Sequence, residues 1–304
     1  MPTELSYPQQ SQTPDHSQQL NAVTSKQPLT CPVCDIPTRR AGHANYYTKE
    51  SRFTTSIFHC ALCDVYCREV DNERLIGHYY AASYVTLSNE ERFLRQRRAF
   101  FEYLLSSIDR NRPSVADRKP LLVDFGCSYG HLLQAAEKRG YAAVGIELNE
   151  DLVTQCRARG LNVQPSLAHL SGAVDVFTLI DSLYCVPNPR EILLSIRRRL
   201  APAGILVIRV TNRNQYARIR NSFARDNDFS ILGDCTVGYS HQGIRRLLAS
   251  AGFVITHVLP DSAQGKRNMP WKTWLTYKLA YAAYLLSGGL VNVSPGTIVF
   301  AGPA

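Results

Sequence analysis

Residues 121–133 read LLVDFGCSYGHLL. An apolar run ends at Asp124, a glycine-bracketed turn follows, and helical spacing resumes at His131. The GCSYG core satisfies the G-x-S-x-G elbow that presents a nucleophilic serine. It equally satisfies a strand–turn–helix loop holding a cofactor at the carboxyl edge of an α/β sheet. The neighbourhood separates the two. The next strand, AAVGIEL, ends in Glu147, and an acidic residue about 20 positions after such glycines takes ribose hydroxyls in nucleotide-binding folds. A hydrolase has no use for a carboxylate there. The loop also follows the first strand of its α/β run, whereas an elbow belongs to a strand with several sheet strands upstream. His241 and His257 would have to complete a hydrolase. The dinucleotide fingerprint is unmet as well, because the glycines are Gly126 and Gly130 with Ser128 between them. Ser128 is therefore expected to shape a cofactor loop.

Working outward, strand and helix patterns alternate. Helix 130–139 stops at Gly140, and Asn149 caps the helix EDLVTQCRAR, which stops at Gly160. VDVFTLID, GILVIRV, FVITHVL and TIVFAG read as further strands. Asn188-Pro189 and Ser240 open two more helices. This alternation predicts a parallel sheet covered by helices on both faces. Upstream, Ser88 and Glu91 form a capping box before an amphipathic helix ending near Pro113. WKTWLTYKLAYAAYLLSGGLV, inside 271–293, is apolar but broken by Lys278 and Gly288-Gly289. It predicts a packing helix or substrate lid with shallow membrane contact at most, and no transmembrane segment.

Ahead of the α/β run stand CPVC at 31–34 and CALC at 60–63. Two C-x-x-C knuckles at this separation can give four thiolates to one tetrahedral zinc. Cys31, Cys34, Cys60 and Cys63 are thus expected to hold a structural zinc, with a β-hairpin between the pairs. A closed four-thiolate site has no open position for catalysis. Chelation is expected to loosen the N-terminus locally.

The chain has 304 residues, 45% hydrophobic and 19% charged, with nine cysteines and a formal net charge of +9. These values describe a globular protein with reduced thiols in a cytoplasmic setting. The Gln/Ser/Pro-rich start has no signal-peptide pattern and reads as a disordered tail over 1–28. Basic residues come in short clusters, Arg95/Arg97/Arg98 and Arg197–Arg199, without an RNA-binding signature.

VDFGCSYG, GIELN, DVFTLIDSLYCVPNPREIL, LAPAGILVIRV and YSHQGIRRLLASAGF occur in the order of motifs in class I S-adenosylmethionine-dependent methyltransferases. Residues 120–260 resemble that family. The cysteine pairs followed by HYYAASY resemble a subgroup with a zinc-ribbon leader, often linked to sugar or natural-product modification. The resemblance implies a Rossmann-like α/β fold, a seven-stranded doubly wound sheet with a small N-terminal zinc module. It implies a tail over 1–28, a zinc-ribbon-like module over 29–70, a helical linker or lid over 71–113, and the methyltransferase domain over 114–304. It implies that Asp124, Gly126, Cys127, Ser128, Gly130, Glu147, Asp181 and Ser182 line an S-adenosylmethionine site. The acceptor is expected to be a small molecule (sugar, natural product or lipid-linked compound), with RNA or a non-catalytic cofactor-binding role as alternatives. His241 is the candidate general base, with Tyr184 and His131 behind it, and Tyr79 and Tyr80 are candidates to cover the cofactor. The sequence departs from the family at Cys185, where relatives often carry histidine, and at Ser166-Leu167, where an acidic residue often meets adenine.

Overall fold

The computed structural model describes residues 29–47, 52–68, 87–115, 117–186, 188–233, 235–261, 271–288 and 292–304. The tail over 1–28 and the Tyr79-Tyr80 pair lie outside them. The described chain forms β1 (Arg39–Tyr47), β2 (Arg52–Cys60), β3 (Val65–Arg68), α1 (Leu87–Asn111), β4 (Leu121–Phe125), α2 (His131–Lys138), β5 (Ala142–Ile146), α3 (Glu150–Ala158), β6 (Val163–Gln164), β7 (Val174–Ile180), α4 (Pro189–Arg199), β8 (Leu200–Thr211), α5 (Arg213–Ala224), β9 (Val237–Tyr239), α6 (His241–Ser250), β10 (Phe253–Pro260), α7 (Trp271–Leu286) and β11 (Gly296–Pro303).

The main sheet has seven strands in the order β10-β11-β8-β7-β4-β5-β6. β4 pairs in parallel with β5 and β7, β5 with β6, and β7 with β8. β11 is the exception and runs antiparallel to both neighbours. The chain leaves β10, passes through α7, and re-enters the sheet from the same edge. A strand that returns without crossing the sheet must run backwards.

Residues alternate along each strand between two cores, which is why these strands read as unbroken apolar runs. Val123, Phe177, Leu179, Ile208 and Val299 face one core with Leu193 and Ile196 of α4 and Ile244, Leu247 and Leu248 of α6. Leu122, Val176, Val207, Ile298 and Phe300 face the other with Phe100, Leu104, Leu105 and Ile108 of α1 and Leu132 and Leu133 of α2. Each such side chain contributes about 1.5–3 kcal/mol on burial. The caps at Asn149 and Ser240 form as expected, accepting from the amides of Leu152 and Gly243 at 3.0 Å. α1 begins at Leu87, so Ser88 sits inside its first turn rather than before it.

The cysteine module is not self-contained. β1, β2 and β3 form an antiparallel meander, and its fourth strand is β9, from far down the chain. Val65, Tyr66 and Cys67 pair with Tyr239, Gly238 and Val237. Cys31, Cys60 and Cys63 belong to the same core cluster as Tyr184, Ile244 and Leu247.

Candidate cofactor site and four-cysteine centre

The GCSYG loop folds over the end of β5. The amides of Gly126 and Cys127 both donate to the Ile146 carbonyl, at 2.8 and 3.1 Å. Gly126, Ser128 and Gly130 all have left-handed φ, at 78°, 51° and 74°. A Cβ on Gly126 would meet the Ser182 Cβ at 2.7 Å. A Cβ on Gly130 would instead meet Leu161 Cδ1 at 2.4 Å and Cys156 Sγ at 3.2 Å. Gly126 therefore keeps the loop close to β7, while Gly130 lets α2 pack on its neighbours.

Glu147 pins the loop. Its Oε2 accepts from the Ser128 amide at 2.9 Å, and its Oε1 accepts from Leu148 and Asn149 at 2.9 and 3.0 Å. Two oxygens offer about four lone-pair positions, so one on Oε2 stays open. The Ser128 Oγ is buried without a hydrogen-bond partner, so among the described residues no imidazole is bonded to it as an activating base. That arrangement cannot run elbow chemistry.

Beneath the loop, Asp124 is buried and accepts from Thr178 Oγ1 at 2.7 Å. Burial pushes its carboxyl up to about 7; the Thr178 bond opposes that rise and Glu147 reinforces it.

A cavity of about 880 Å³ opens at the carboxyl ends of β4, β5 and β7. Asp124, Gly126, Cys127, Ser128, Glu147, Asp181 and Ser182 all line it, as do Ser166, Leu167, His131, Tyr184 and Cys185. Gly130 does not reach the lining. His241 is exposed and stands apart from the cavity. It opens α6 beside the second knuckle, where Ser240 Oγ donates to the Cys63 carbonyl and Gln242 Nε2 to that of Leu62. Its place after a helix cap revealed nothing about which edge of the sheet that cap faces.

His131, a secondary candidate, lies on the cavity wall and is buried. Its Nε2 is 3.3 Å from Glu90 Oε1, without hydrogen-bond geometry, and Arg159 grips that carboxylate with both terminal nitrogens. Burial lowers the His131 pKa below its ordinary value and outweighs Glu90, so the ring is neutral near pH 7.

At the far wall, charges alternate through the protein. Arg97 Nη2 is 2.5 Å from Asp181 Oδ2, Arg209 Nη1 bonds Asp181 Oδ1, and Arg209 Nη2 meets Asp261 Oδ2 at 2.5 Å. Burial works against the Asp181 carboxylate, and the two guanidinium groups outweigh it, holding it below the usual range. Asp181 therefore has its charge committed within the protein. Arg209 is the lone charge in the apolar run GILVIRV, and that isolation was the one signal of a buried pair.

The profile of the methyltransferase-domain family matches residues 93–258, more than half of the chain. The chain belongs to the methyltransferase-domain family. Its fold and motif order are those of the class I, S-adenosylmethionine-dependent branch. The chain is 37% identical over 112 residues to the ubiquinone biosynthesis O-methyltransferase of Methylococcus capsulatus, covering 33% of this chain and 46% of that protein. It is 27% identical over 117 residues to the Pseudomonas aeruginosa protein of the same name, covering 35% and 50%. The chain thus spans about half the length of the curated relatives it matches. Among solved structures, a chain from the complex of the Haloferax volcanii Trm112 methyltransferase activator with a methyltransferase superposes with a TM-score of 0.50. It is 17% identical, covering 78% of this chain and 99% of that one. At that identity the likeness shows the fold alone.

The four knuckle cysteines converge. Their sulfurs lie within 4.8 Å of one another, with Cys34 Sγ and Cys60 Sγ 3.7 Å apart. A tetrahedron with metal–sulfur bonds of about 2.3 Å has an edge of roughly 3.8 Å. Each knuckle ends in an aspartate with left-handed φ, Asp35 at 58° and Asp64 at 52°. The repeated C-x-x-C-D was the sequence sign of those turns. Four sulfurs at this spacing can hold a metal ion.

Proposed function

We propose that this chain is an S-adenosylmethionine-dependent methyltransferase acting on a small-molecule acceptor, with a structural zinc at Cys31, Cys34, Cys60 and Cys63. The observation that carries the reading is the glycine loop pinned to Glu147 over a cavity of about 880 Å³. That volume lies at the upper end of small-molecule sites and suits a nucleoside cofactor with an acceptor beside it. When bound, the cofactor supplies a methyl group already activated on a sulfonium, so positioning provides much of the rate.

The residues present fit that group. The open lone pair of Glu147 can accept a ribose hydroxyl. The unpartnered hydroxyls of Ser128 and Ser182 supply further polar contacts. Asp124, ionised, offers the charge a cationic cofactor needs. Gly126 keeps the loop free of a side chain. For a hydroxyl acceptor, the neutral His131 ring on the cavity wall replaces His241 as the candidate base, with Tyr184, elsewhere in the lining, as the second candidate. Curated relatives named as O-methyltransferases support an oxygen acceptor. A nucleic-acid acceptor is less favoured, since Arg197 bonds the Gly252 carbonyl and Arg199 that of Ser195, both within the domain.

Calorimetric titration with S-adenosylmethionine tests the reading. Wild type and Ser128→Gly should bind, and Glu147→Ala should lose about 1.5–3 kcal/mol, the scale of hydrogen bonds to a charged group. Equal binding by Glu147→Ala, or none by wild type, refutes it. A labelled-methyl screen against hydroxylated metabolites then identifies the acceptor. Metal analysis should return about one zinc, lost in the Cys31→Ser, Cys60→Ser double variant.

A further inference from the structure

α7 is apolar on both sides. Its inner side carries Ala280, which is buried, with Tyr277, Tyr281 and Tyr284, and the Tyr284 hydroxyl donates to the Val258 carbonyl at 2.6 Å. Its outer side carries Trp271, Leu275, Leu279, Leu285 and Leu286, exposed by 63%, 41%, 62%, 58% and 90%. At 3.6 residues per turn these five fall within one arc of about 120°. The neighbouring α5 adds Ile219 and Phe223, exposed by 55% and 85%, on the face that carries Tyr216. The Tyr216 hydroxyl bonds the carbonyl of Val293, which is itself exposed and follows α7 in the chain. Large leucines and aromatics left in water along a whole helix mark a surface that something covers.

Three observations select the cover. Lys278 falls within the outer arc, near one edge of it and midway along the helix, and is half-buried, so its stem can lie on the apolar stripe while its ammonium reaches outward. Residues 262–304 contain Lys266, Arg267, Lys272 and Lys278 and neither Asp nor Glu. α7 spans 16 residues, and no helix among the described residues is long and apolar enough to cross a membrane. A helix with leucine and tryptophan on its outer arc, cationic and too short to span, suits the surface plane of an anionic bilayer. A second copy of the chain suits it less, because packing two such stripes together would set Lys278 against Lys278 without a carboxylate to separate them.

We propose that α7 is a docking helix that lays its Trp271–Leu286 face into the surface of an anionic phospholipid bilayer. Tyr277, on the opposite side of the helix, feels Asp261, Arg209 and Arg97, and Arg97 lines the cavity. The inner side of the docking helix therefore faces the Asp261–Arg209–Asp181–Arg97 ladder, whose Arg97 and Asp181 line the cavity. Delivery of a lipid-borne acceptor rests on the methyltransferase reading, whereas the docking itself does not.

The test is co-sedimentation of the full chain with vesicles, without cofactor or acceptor. Vesicles of phosphatidylglycerol and phosphatidylcholine in equal parts should carry wild type down, phosphatidylcholine alone far less, and high salt should release part of the bound protein. Leu275→Gln, Leu279→Gln should lower the partition about tenfold or more, while leaving S-adenosylmethionine binding as in wild type. Leu286→Gln, at a helix end exposed by 90%, gives a second variant that cannot disturb the core and should lower the partition by a smaller factor. Wild type left in the supernatant, or partition unchanged by all three substitutions, overturns the proposal. So does light scattering that shows a dimer broken by the same substitutions in a protein that ignores vesicles.

Discussion

Gly126→Ala probes the geometry of the cofactor loop directly. The substitution carries two separable costs. An L-residue held at φ 78° costs about 1–2 kcal/mol. The added Cβ lies 2.7 Å from Ser182 Cβ, closer than two such carbons approach, and overpacking of this kind costs about 1–3 kcal/mol. Ser182 cannot retreat freely, since the preceding Asp181 is itself left-handed at 58° and tied to Arg97 and Arg209. Together the loss is about 2–5 kcal/mol, to be read from urea unfolding with unchanged m-value. Ser182→Gly removes the obstructing carbon. In that background Gly126→Ala should cost only the backbone part, about 1–2 kcal/mol. The coupling between the two sites should then be about 1–3 kcal/mol, well above the ~0.5 kcal/mol at which sites count as independent. Equal costs in both backgrounds would refute the close approach of loop and β7, and with it the reason a glycine stands there.

The Asp124 carboxyl, raised to about 7 when folded and near 3.9 when unfolded, favours the folded protonated form. Its stabilising contribution is complete below about pH 4 and is lost as pH rises through about 7. Wild type minus Asp124→Asn, followed by urea midpoint from pH 4 to 8, should show that decline; a flat difference contradicts it. Asp261→Asn strands the buried end of Arg209 and should cost about 3–5 kcal/mol in thermal or urea unfolding, against little change if the ladder is ornamental. Metal removal by a chelator should accelerate hydrogen exchange at Tyr184, Thr236 and Ile244 as well as in β1–β3. Exchange confined to residues before 70 would contradict the shared core.

Much of the fold was legible because the α/β run states its own period. Asp124, Gly126 and Glu147 could be placed on one edge of a sheet from spacing alone, and the cavity does bring them together, while Gly130 stays behind the lining. What escaped depends on where distant segments meet. The direction of β11 follows from the route taken through α7, which hydropathy does not encode. β9 is only Val-Gly-Tyr, too short for periodicity, and its partner lies far upstream in β3. Asp181 could be placed at the end of β7, but not its commitment to Arg97 and Arg209, because those arginines come from a helix and a strand remote in sequence. His241 looked available because its cap was legible and its surroundings were not.

The borrowed strand β9 also sets an order of events during synthesis. β3 leaves the ribosome roughly 170 residues ahead of the segment that closes its edge, on the order of ten seconds or more at ordinary elongation rates. Through that interval the nascent chain carries an open strand edge and four thiols, with no Val237–Tyr239 to seat them. Thr236, which donates to the Tyr184 carbonyl from both its amide and its hydroxyl, arrives in the same late instalment. Prematurely terminated chains would therefore display the knuckles without their closing strand, a species prone to association through that edge. For this protein, a ribosome stalled anywhere between 70 and 236 leaves a product that carries both knuckles and β3 but lacks the strand that closes them.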